Sequence, residues 1–383
     1  SIAARRRWLA DKTGADLTHT GAFSFPSEAM RGNIENPVGA VQVPLGVAGP
    51  LLVHGEHARG VFYVPMATTE GALVRSYERG AAAITRAGGA TARLYTDENR
   101  VSPVFLFDGV AEAAGFARAL PGWFEAVRAA AESTTRHGRL LRLEPHPLGR
   151  DVMVHFCYST ADASGMNMIV RATEHACQWL LAHTAARRHV LFSGLEAEKH
   201  ATGSLLAGGK GKKVSAGVLL PARVCRAWLN ATPEQVADVW RRTALGDFQG
   251  GSLGHNGQYA NGLAALFIAC GQDVANLANS AVGNTVFEVT AEGDLYASAN
   301  LPSLTVGTVG GGTALGTGRE CLEVLGCFGD GGAAKLAEIT AAFLLAGDLS
   351  VTAAIASGEF VQAHETYGRN RPALPSPTSE VAD

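Results

Sequence analysis

Lysine is nearly missing from this 383-residue chain: of 32 basic residues only six are lysines. Charged residues make up 17% and aromatics 7%, and the formal net charge is −3. Without a basic surplus to hold a polyanion, a dedicated nucleic-acid binder is excluded. An apolar content of 47% excludes a disordered chain. The six cysteines (Cys157, Cys177, Cys225, Cys270, Cys321 and Cys327) show no C-x-x-C spacing and no attendant histidine cluster. Neither a disulfide framework nor a metal site is therefore expected, and the thiols read as reduced and buried. Long apolar runs are lacking too. The stretches at 263–270 and 339–346 fall far short of the roughly 18 to 20 residues that span a bilayer. Arg5-Arg6-Arg7 has no apolar run behind it, which excludes a secretory signal. These absences describe a cytoplasmic protein that engages neither membrane nor nucleic acid.

Glycine, by contrast, is abundant: 46 residues, well above the average share of ~7%. Four of the six lysines fall between 199 and 213. A glycine surplus implies close backbone approaches, and a lysine cluster in a lysine-poor chain implies a site.

The pattern along the chain is α+β. Residues 1–34 read as a helical arm. Short strands follow at 41–43, 51–53 and 61–64. Thr68 and Thr69 offer hydroxyl caps for a helix with Glu70 in its first turn, running through Leu73, Tyr77 and Ile84 to Gly88-Gly89. Residues 102–191 form a separate block: a strand at 104–106, an alanine-rich helix over 110–132, a strand at 152–158, and a helix ending near His183. Beyond the lysine-rich loop come a strand at 214–220 and helices at 222–229 and 233–244. A long apolar helix is predicted over 256–279, then strands at 285–290 and 295–298 and helices at 333–346 and 348–357. The proline-bearing tail, 371–383, is expected to be disordered.

Taken alone, the glycine motifs are ambiguous. Gly307–Thr313 and Asp162–Asn167 lack the spacing and strand–turn–helix context of a dinucleotide fingerprint, and each by itself reads as a turn. Gly208-Gly209-Lys210-Gly211-Lys212 fails the P-loop register. Four ionisable residues stand in apolar or loop settings where burial is expected: Glu70, Lys199, Asp273 and His364. Singly, each has a bland reading as a helix-dipole partner or a polar-face residue. Together they supply an acid, a cation, a tuning carboxylate and a near-neutral proton donor, which suits stepwise reduction of an acyl group.

The segments Glu35-Asn36-Pro37-Val38-Gly39, Pro44–Leu51 and Pro65-Met66-Ala67-Thr68-Thr69-Glu70-Gly71 resemble those of the 3-hydroxy-3-methylglutaryl-CoA (HMG-CoA) reductase family. Gly165-Met166-Asn167-Met168, Ile268–Asp273 and Gly307–Thr313 extend the resemblance in order and spacing over about residues 1–370. The Pro65–Gly71 form is similar to the eukaryotic and archaeal (class I) branch, whose catalytic portion begins where this chain begins, with no membrane anchor.

The resemblance implies a large substrate- and CoA-binding domain (35–101 and 192–370) around a central helix at 256–279. A ferredoxin-like dinucleotide domain (102–191) is inserted into it. It further implies a homodimer, with a dimer of dimers left open, whose active site forms between subunits. The implied reaction reduces a thioester to an alcohol in two hydride steps, through a hemithioacetal and an aldehyde. By resemblance, Lys199 stabilises the carbonyl oxyanion, Glu70 protonates the aldehyde stage, Asp273 sets their pKa values, and His364 protonates the departing CoA thiolate. Arg100, Ser193, Glu198, His200, Asn261 and Gln258 match substrate-side positions. Glu35, Asn36, Gly46 and Gly49 match CoA-side positions. Asp162, Gly165, Met166, Asn167, Met168, Gly310 and Gly311 match the dinucleotide segments. Arg136 matches a basic residue near the adenosine ribose, where a guanidinium favours a 2′-phosphate, so NADPH is expected over NADH.

The loop at 193–206 departs from the family pattern. His200 stands where a second lysine is expected, Glu198 replaces an aspartate, and Leu205-Leu206 replaces an asparagine–tryptophan pair. Gln258 takes a place usually held by histidine, and Arg75 that of a small residue. HMG-CoA is the simplest substrate. A paralogue acting on a different acyl thioester and a non-catalytic acyl-CoA binder are the alternatives.

Overall fold

The computed structural model describes residues 1–367, apart from the side chain of His364. The tail at 371–383 lies outside the described residues. Helices α1 (Ile2–Thr13) and α2 (Thr18–Gly21) form the N-terminal arm. They lead into a hairpin of β1 (Leu45–His54) and β2 (Arg59–Ala67), then α3 (Leu73–Arg86) and the long strand β3 (Ala90–Val101). Next come β4 (Val104–Leu106), α4 (Val110–Ala119), α5 (Phe124–Glu132), β5 (Arg139–Leu148), β6 (Asp151–Ser159), α6 (Met166–His183) and β7 (Arg188–Val190). The chain then runs through β8 (Gly211–Leu220), α7 (Ala222–Val224), α8 (Pro233–Gly250), α9 (Tyr259–Ala269), α10 (Leu277–Ser280), β9 (Asn284–Val289) and β10 (Leu295–Leu304). It closes with α11 (Gly316–Val324), α12 (Gly332–Ser357) and α13 (Phe360–Tyr367).

Strand β3 belongs to two sheets. Its first part pairs antiparallel with β8 and briefly in parallel with β1, within a sheet ordered β2-β1-β3-β8-β10-β9. Its last residues, Asn99 to Val101, pair with β6. There β4 to β7 form an antiparallel sheet ordered β7-β4-β6-β5, with α4, α5 and α6 as the crossovers. That is the split βαβ arrangement of ferredoxin-like folds. Each sheet has its own apolar core, one including Leu51, Tyr77, Leu263 and Phe343, the other Phe105, Val154, Phe156 and Leu180.

The helix that organises the larger unit is α12, and not a helix over 256–279. From Gly332 to Ser350 it is almost wholly buried, packed on α3, α8, α9 and strands of the large sheet. A helix apolar on every side belongs in a core. Among the described residues α12 alone is long and apolar enough to cross a membrane, but its apolar window is mostly buried inside the protein. The two helices expected over 333–357 are thus one. Residues 347–348, where the break was expected, hold a glycine and an aspartate that both face packed neighbours. Gly80 on α3 sets how closely these helices approach: a methyl group there would lie 1.8 Å from the carbonyl oxygen of Ala346. Gly80→Ala is therefore expected to force α3 from α12 and cost about 1–3 kcal/mol, read as a lower urea midpoint. An unchanged midpoint would refute this close contact.

Other differences have local causes. The helix predicted over 256–279 ends at Ala269, because Gly271 turns left-handed (φ +62°) with its backbone against Gly312. The helix predicted over 110–132 breaks at Pro121 into α4 and α5. Helix α3 begins at Leu73, not at Thr69, because Ala72 takes a left-handed conformation. Strand β5 was not expected, since its alternation is interrupted by Pro145 and Pro147.

Candidate active site

Lys199 and Asp273 form an ion pair with Nζ 2.8 Å from Oδ2. The pair is held by two irregular segments. On the lysine side, Ala197 and Lys199 both have positive φ, a strained conformation for residues with side chains, of a kind that clusters at functional sites. On the other side, Asp273 lies outside any α-helix, contrary to the sequence expectation. Its Oδ1 accepts a hydrogen bond from the Ala275 N–H and caps a 3-10 turn at Val274–Asn276. The bond to Asp273 raises the Lys199 pKa, so the ammonium stays charged at neutral pH.

Glu70 sits in the turn between β2 and α3, its own N–H donating to Thr68 Oγ1 at 3.0 Å. Asn261, in the first turn of α9, donates through Nδ2 to Glu70 Oε1 at 3.3 Å. This pair lines a cavity of about 600 Å³ bounded by α3, the start of α9, the end of α12 and α13. The Lys199–Asp273 pair lies just past the other end of α9. No side chain among the described residues bonds Glu70 to Lys199. His364 falls within α13, and its side chain lies outside the described residues.

Several residues singled out from the sequence are already engaged. The Gln258 side-chain amide donates to the Gly347 carbonyl (2.5 Å) and Ser76 Oγ (3.2 Å), although the residue also lines the cavity. Glu198 is ion-paired to Lys210, a wholly buried ammonium that also donates to Asn99 Oδ1 at 2.7 Å. Desolvation lowers the Lys210 pKa, and Glu198 opposes that shift. His200 is exposed, with Nδ1 2.6 Å from the Glu198 carbonyl oxygen. Ser193 Oγ accepts from the Leu195 N–H. Arg100 differs from all of these. Its guanidinium is buried beneath the loop glycine Gly209, yet Nε and Nη2 have no hydrogen-bond partner. A buried guanidinium left with free N–H groups is the arrangement a bound carboxylate completes.

The two glycine motifs meet. Thr308 and Val309 donate backbone hydrogen bonds to the Asp162 carbonyl, and Asp162 Oδ1 and Oδ2 accept from Ala333 and Gly331 at the start of α12. Gly310 and Gly311 have positive φ and open space where a side chain would stand. Strand β10 precedes and α11 follows this loop, contrary to the expected context, but β10 is antiparallel to both neighbours, so no Rossmann unit results. Gly165 precedes α6 without a side-chain cap; Met166 and Met168 pack on the smaller core and Asn167 is exposed. Arg136 is exposed in the turn before β5, and Glu35 and Asn36 are exposed ahead of β1. Gly46 packs against Val74, and Gly49 against the Phe62 carbonyl.

Sequence reasoning missed Asp348 and Glu338. Asp348 accepts from the Gly257 and Gln258 N–H groups and from Thr285 Oγ1 (2.5 Å), and so fixes the start of α9, the helix that carries Asn261. Glu338 accepts from the N–H groups of Glu56, His57 and Ala58 and holds the β1–β2 turn. Each is an isolated carboxylate in an apolar run, the same signal that drew attention to Asp273.

Comparison with known proteins converges on one family. The family model described as hydroxymethylglutaryl-coenzyme A reductase matches residues 1–369. The 3-hydroxy-3-methylglutaryl-coenzyme A reductase of Methanocaldococcus jannaschii is 42% identical over 373 residues, covering 95% of this chain and 92% of the relative. That of Haloferax volcanii is 44% identical over 376 residues, covering 96% and 92%. Among solved structures, the class II enzyme of Streptococcus pneumoniae, bound to NADPH, superposes with a TM-score of 0.70 over 93% of this chain and 97% of its own. At 18% identity it supports the fold alone. With the family's motifs and its architecture both present, this chain belongs to the hydroxymethylglutaryl-coenzyme A reductase family.

Proposed function

We propose that this oxidoreductase converts HMG-CoA to mevalonate with two equivalents of NADPH, as a class I-like member of the family acting as a cytoplasmic homodimer. The observation that carries the reading is the Lys199–Asp273 pair: an ammonium kept charged by a carboxylate, on a strained loop, at positions that the resemblance matches to catalytic residues. Lys199 donates to the thioester oxygen as negative charge develops there, and Asp273 keeps the donor protonated. Glu70, oriented by Asn261, gives up a proton at the aldehyde stage. His364 protonates the leaving CoA thiolate. The free N–H groups of Arg100 take the carboxylate of the acyl group, with Ser193 and His200 at the loop beside it. Gln258 stands on the substrate side, in the cavity with Glu70 and Asn261, and Glu35, Asn36, Gly46 and Gly49 serve the CoA side.

The residues at the cofactor positions fit a dinucleotide. Gly310 and Gly311 leave an open backbone cradle, and the uncapped start of α6 (Gly165 to Met168) lies across the Asp162 contact. Arg136 is the group for a 2′-phosphate. Bound NADPH supplies the hydride at each of the two reductions. The separation described above supports the homodimer: Glu70–Asn261 and Lys199–Asp273 stand toward opposite ends of α9, and a second copy would bring an acid to each ammonium. Six buried, unpaired cysteines suit a reducing compartment.

The test is turnover of the purified chain with HMG-CoA and NADPH. The expected result is two NADPH oxidised for each mevalonate formed. Inert HMG-CoA beside turnover of another acyl-CoA would replace the substrate, and no hydride transfer with any acyl-CoA would remove the reductase reading altogether.

A further inference from the structure

The polar face of the smaller sheet carries a group of side chains that the reductase reading leaves unused. Glu144 and His146 point to the same side of β5, two residues apart, and His155 lies directly opposite Glu144 on β6. One ligand atom from each of the three falls within 4.8 Å of the other two. The imidazole rings of His146 and His155 meet edge to face with centroids 4.5 Å apart. No spacing in the sequence announces this cluster. The antiparallel register of β5 and β6 alone brings it together.

From this geometry we propose that Glu144, His146 and His155 bind one divalent transition-metal ion of the zinc type, with solvent completing the coordination. Two imidazoles and a carboxylate are a common three-ligand set for Zn²⁺ and Co²⁺. The supporting contacts a ligated metal needs are also present. The Nδ1 of His155 is 2.6 Å from Ser102 Oγ, a contact that fixes the ring and leaves the opposite nitrogen for the ion. Arg142 Nε holds Glu144 Oε1 at 2.5 Å, leaving Oε2 free to ligate, and Arg142 is itself balanced by Glu98. His146 is exposed and makes no hydrogen bond among the described residues, so an ion has an open approach. The site also reaches the lysine loop: the Ser102 carbonyl accepts from the Ser193 N–H at 2.9 Å, so occupancy braces the segment that leads to Lys199.

The experiment is a Co²⁺ titration of the full chain, read by visible d–d absorption, with Zn²⁺ competition by calorimetry. Saturation at one equivalent is expected, with Zn²⁺ displacing Co²⁺. His146→Ala, at an exposed position that leaves the fold intact, should weaken binding by about tenfold or more. Glu144→Gln should weaken it as well, while His183→Ala, on an exposed helix end elsewhere, should not. Absence of saturable binding, or equal affinity in wild type and His146→Ala, would overturn the proposal. None of these readouts depends on reductase activity, so failure of the metal site and failure of the HMG-CoA reading are distinguishable.

Discussion

Lys199→Ala is expected to lower the rate of NADPH oxidation with HMG-CoA by about 10²–10³-fold while NADPH binding is unchanged. The reasoning is geometric. Asp273 fixes one side of the ammonium at 2.8 Å and raises its pKa, so the charge is in place before the carbonyl oxygen acquires any. Removing it takes away a prepositioned donor and leaves Asp273, a second negative group, beside a developing oxyanion. The side chain is about half exposed, so its loss should move stability by no more than about 0.5 kcal/mol. Kinetics should therefore change and the urea midpoint should not. If NADPH affinity falls in parallel with the rate, the lysine holds cofactor and the assigned role is wrong.

The second large effect is expected in stability, at Asp348. This carboxylate is wholly enclosed and accepts three hydrogen bonds, two from the backbone ahead of α9 and one from Thr285. Asp348→Ala leaves three donors without a partner in the interior, at a cost of about 3–5 kcal/mol. Asp348→Asn should cost less, since its remaining carbonyl oxygen still accepts. Burial pushes this carboxyl up to about 6 from an ordinary value of 3.8. The folded state thus binds the proton more tightly than the unfolded chain does. The stabilisation from that proton is fully present below about pH 4 and is lost as the pH rises through 6. Asp348→Asn cannot gain this stabilisation, so the gap between it and wild type should be narrowest near neutral pH and widen as the pH falls from 6 to 4. Parallel pH profiles in urea titrations would contradict the assignment.

The family motifs placed Glu70, Lys199 and Asp273 within the chain, and the alternation of strands and helices gave the α+β class. What the sequence concealed is governed by backbone contacts between distant segments. The apolar run from 256 reads as one long helix because its side chains suit one. It ends at Ala269 because the turn at Gly271 packs on Gly312, and no local pattern announces that neighbour. The run over 333–357 reads as two helices because Gly347 and Asp348 look like a break in isolation. Asp348 is tolerated because Gly257, Gln258 and Thr285 supply its donors, and Gly347 because Tyr77 fills the space where a side chain would stand. From its place in the loop Glu198 reads as a substrate residue, whereas its partner Lys210 comes into reach through the pairing of β3 and β8.

Two consequences for the nascent chain follow from the position of α12 in sequence. The larger unit is laid down almost completely before the helix that fills it is synthesised. Until residue 357 has emerged, the faces of α3, α9 and the large sheet that α12 covers stay unpacked. The smaller unit, with its own core inside residues 101–191, has all its strands and crossovers by the time β7 is made. Synthesis therefore yields an early, self-contained module attached to a late-closing one. In the interval between them, the apolar faces that α12 will cover stand open to solvent.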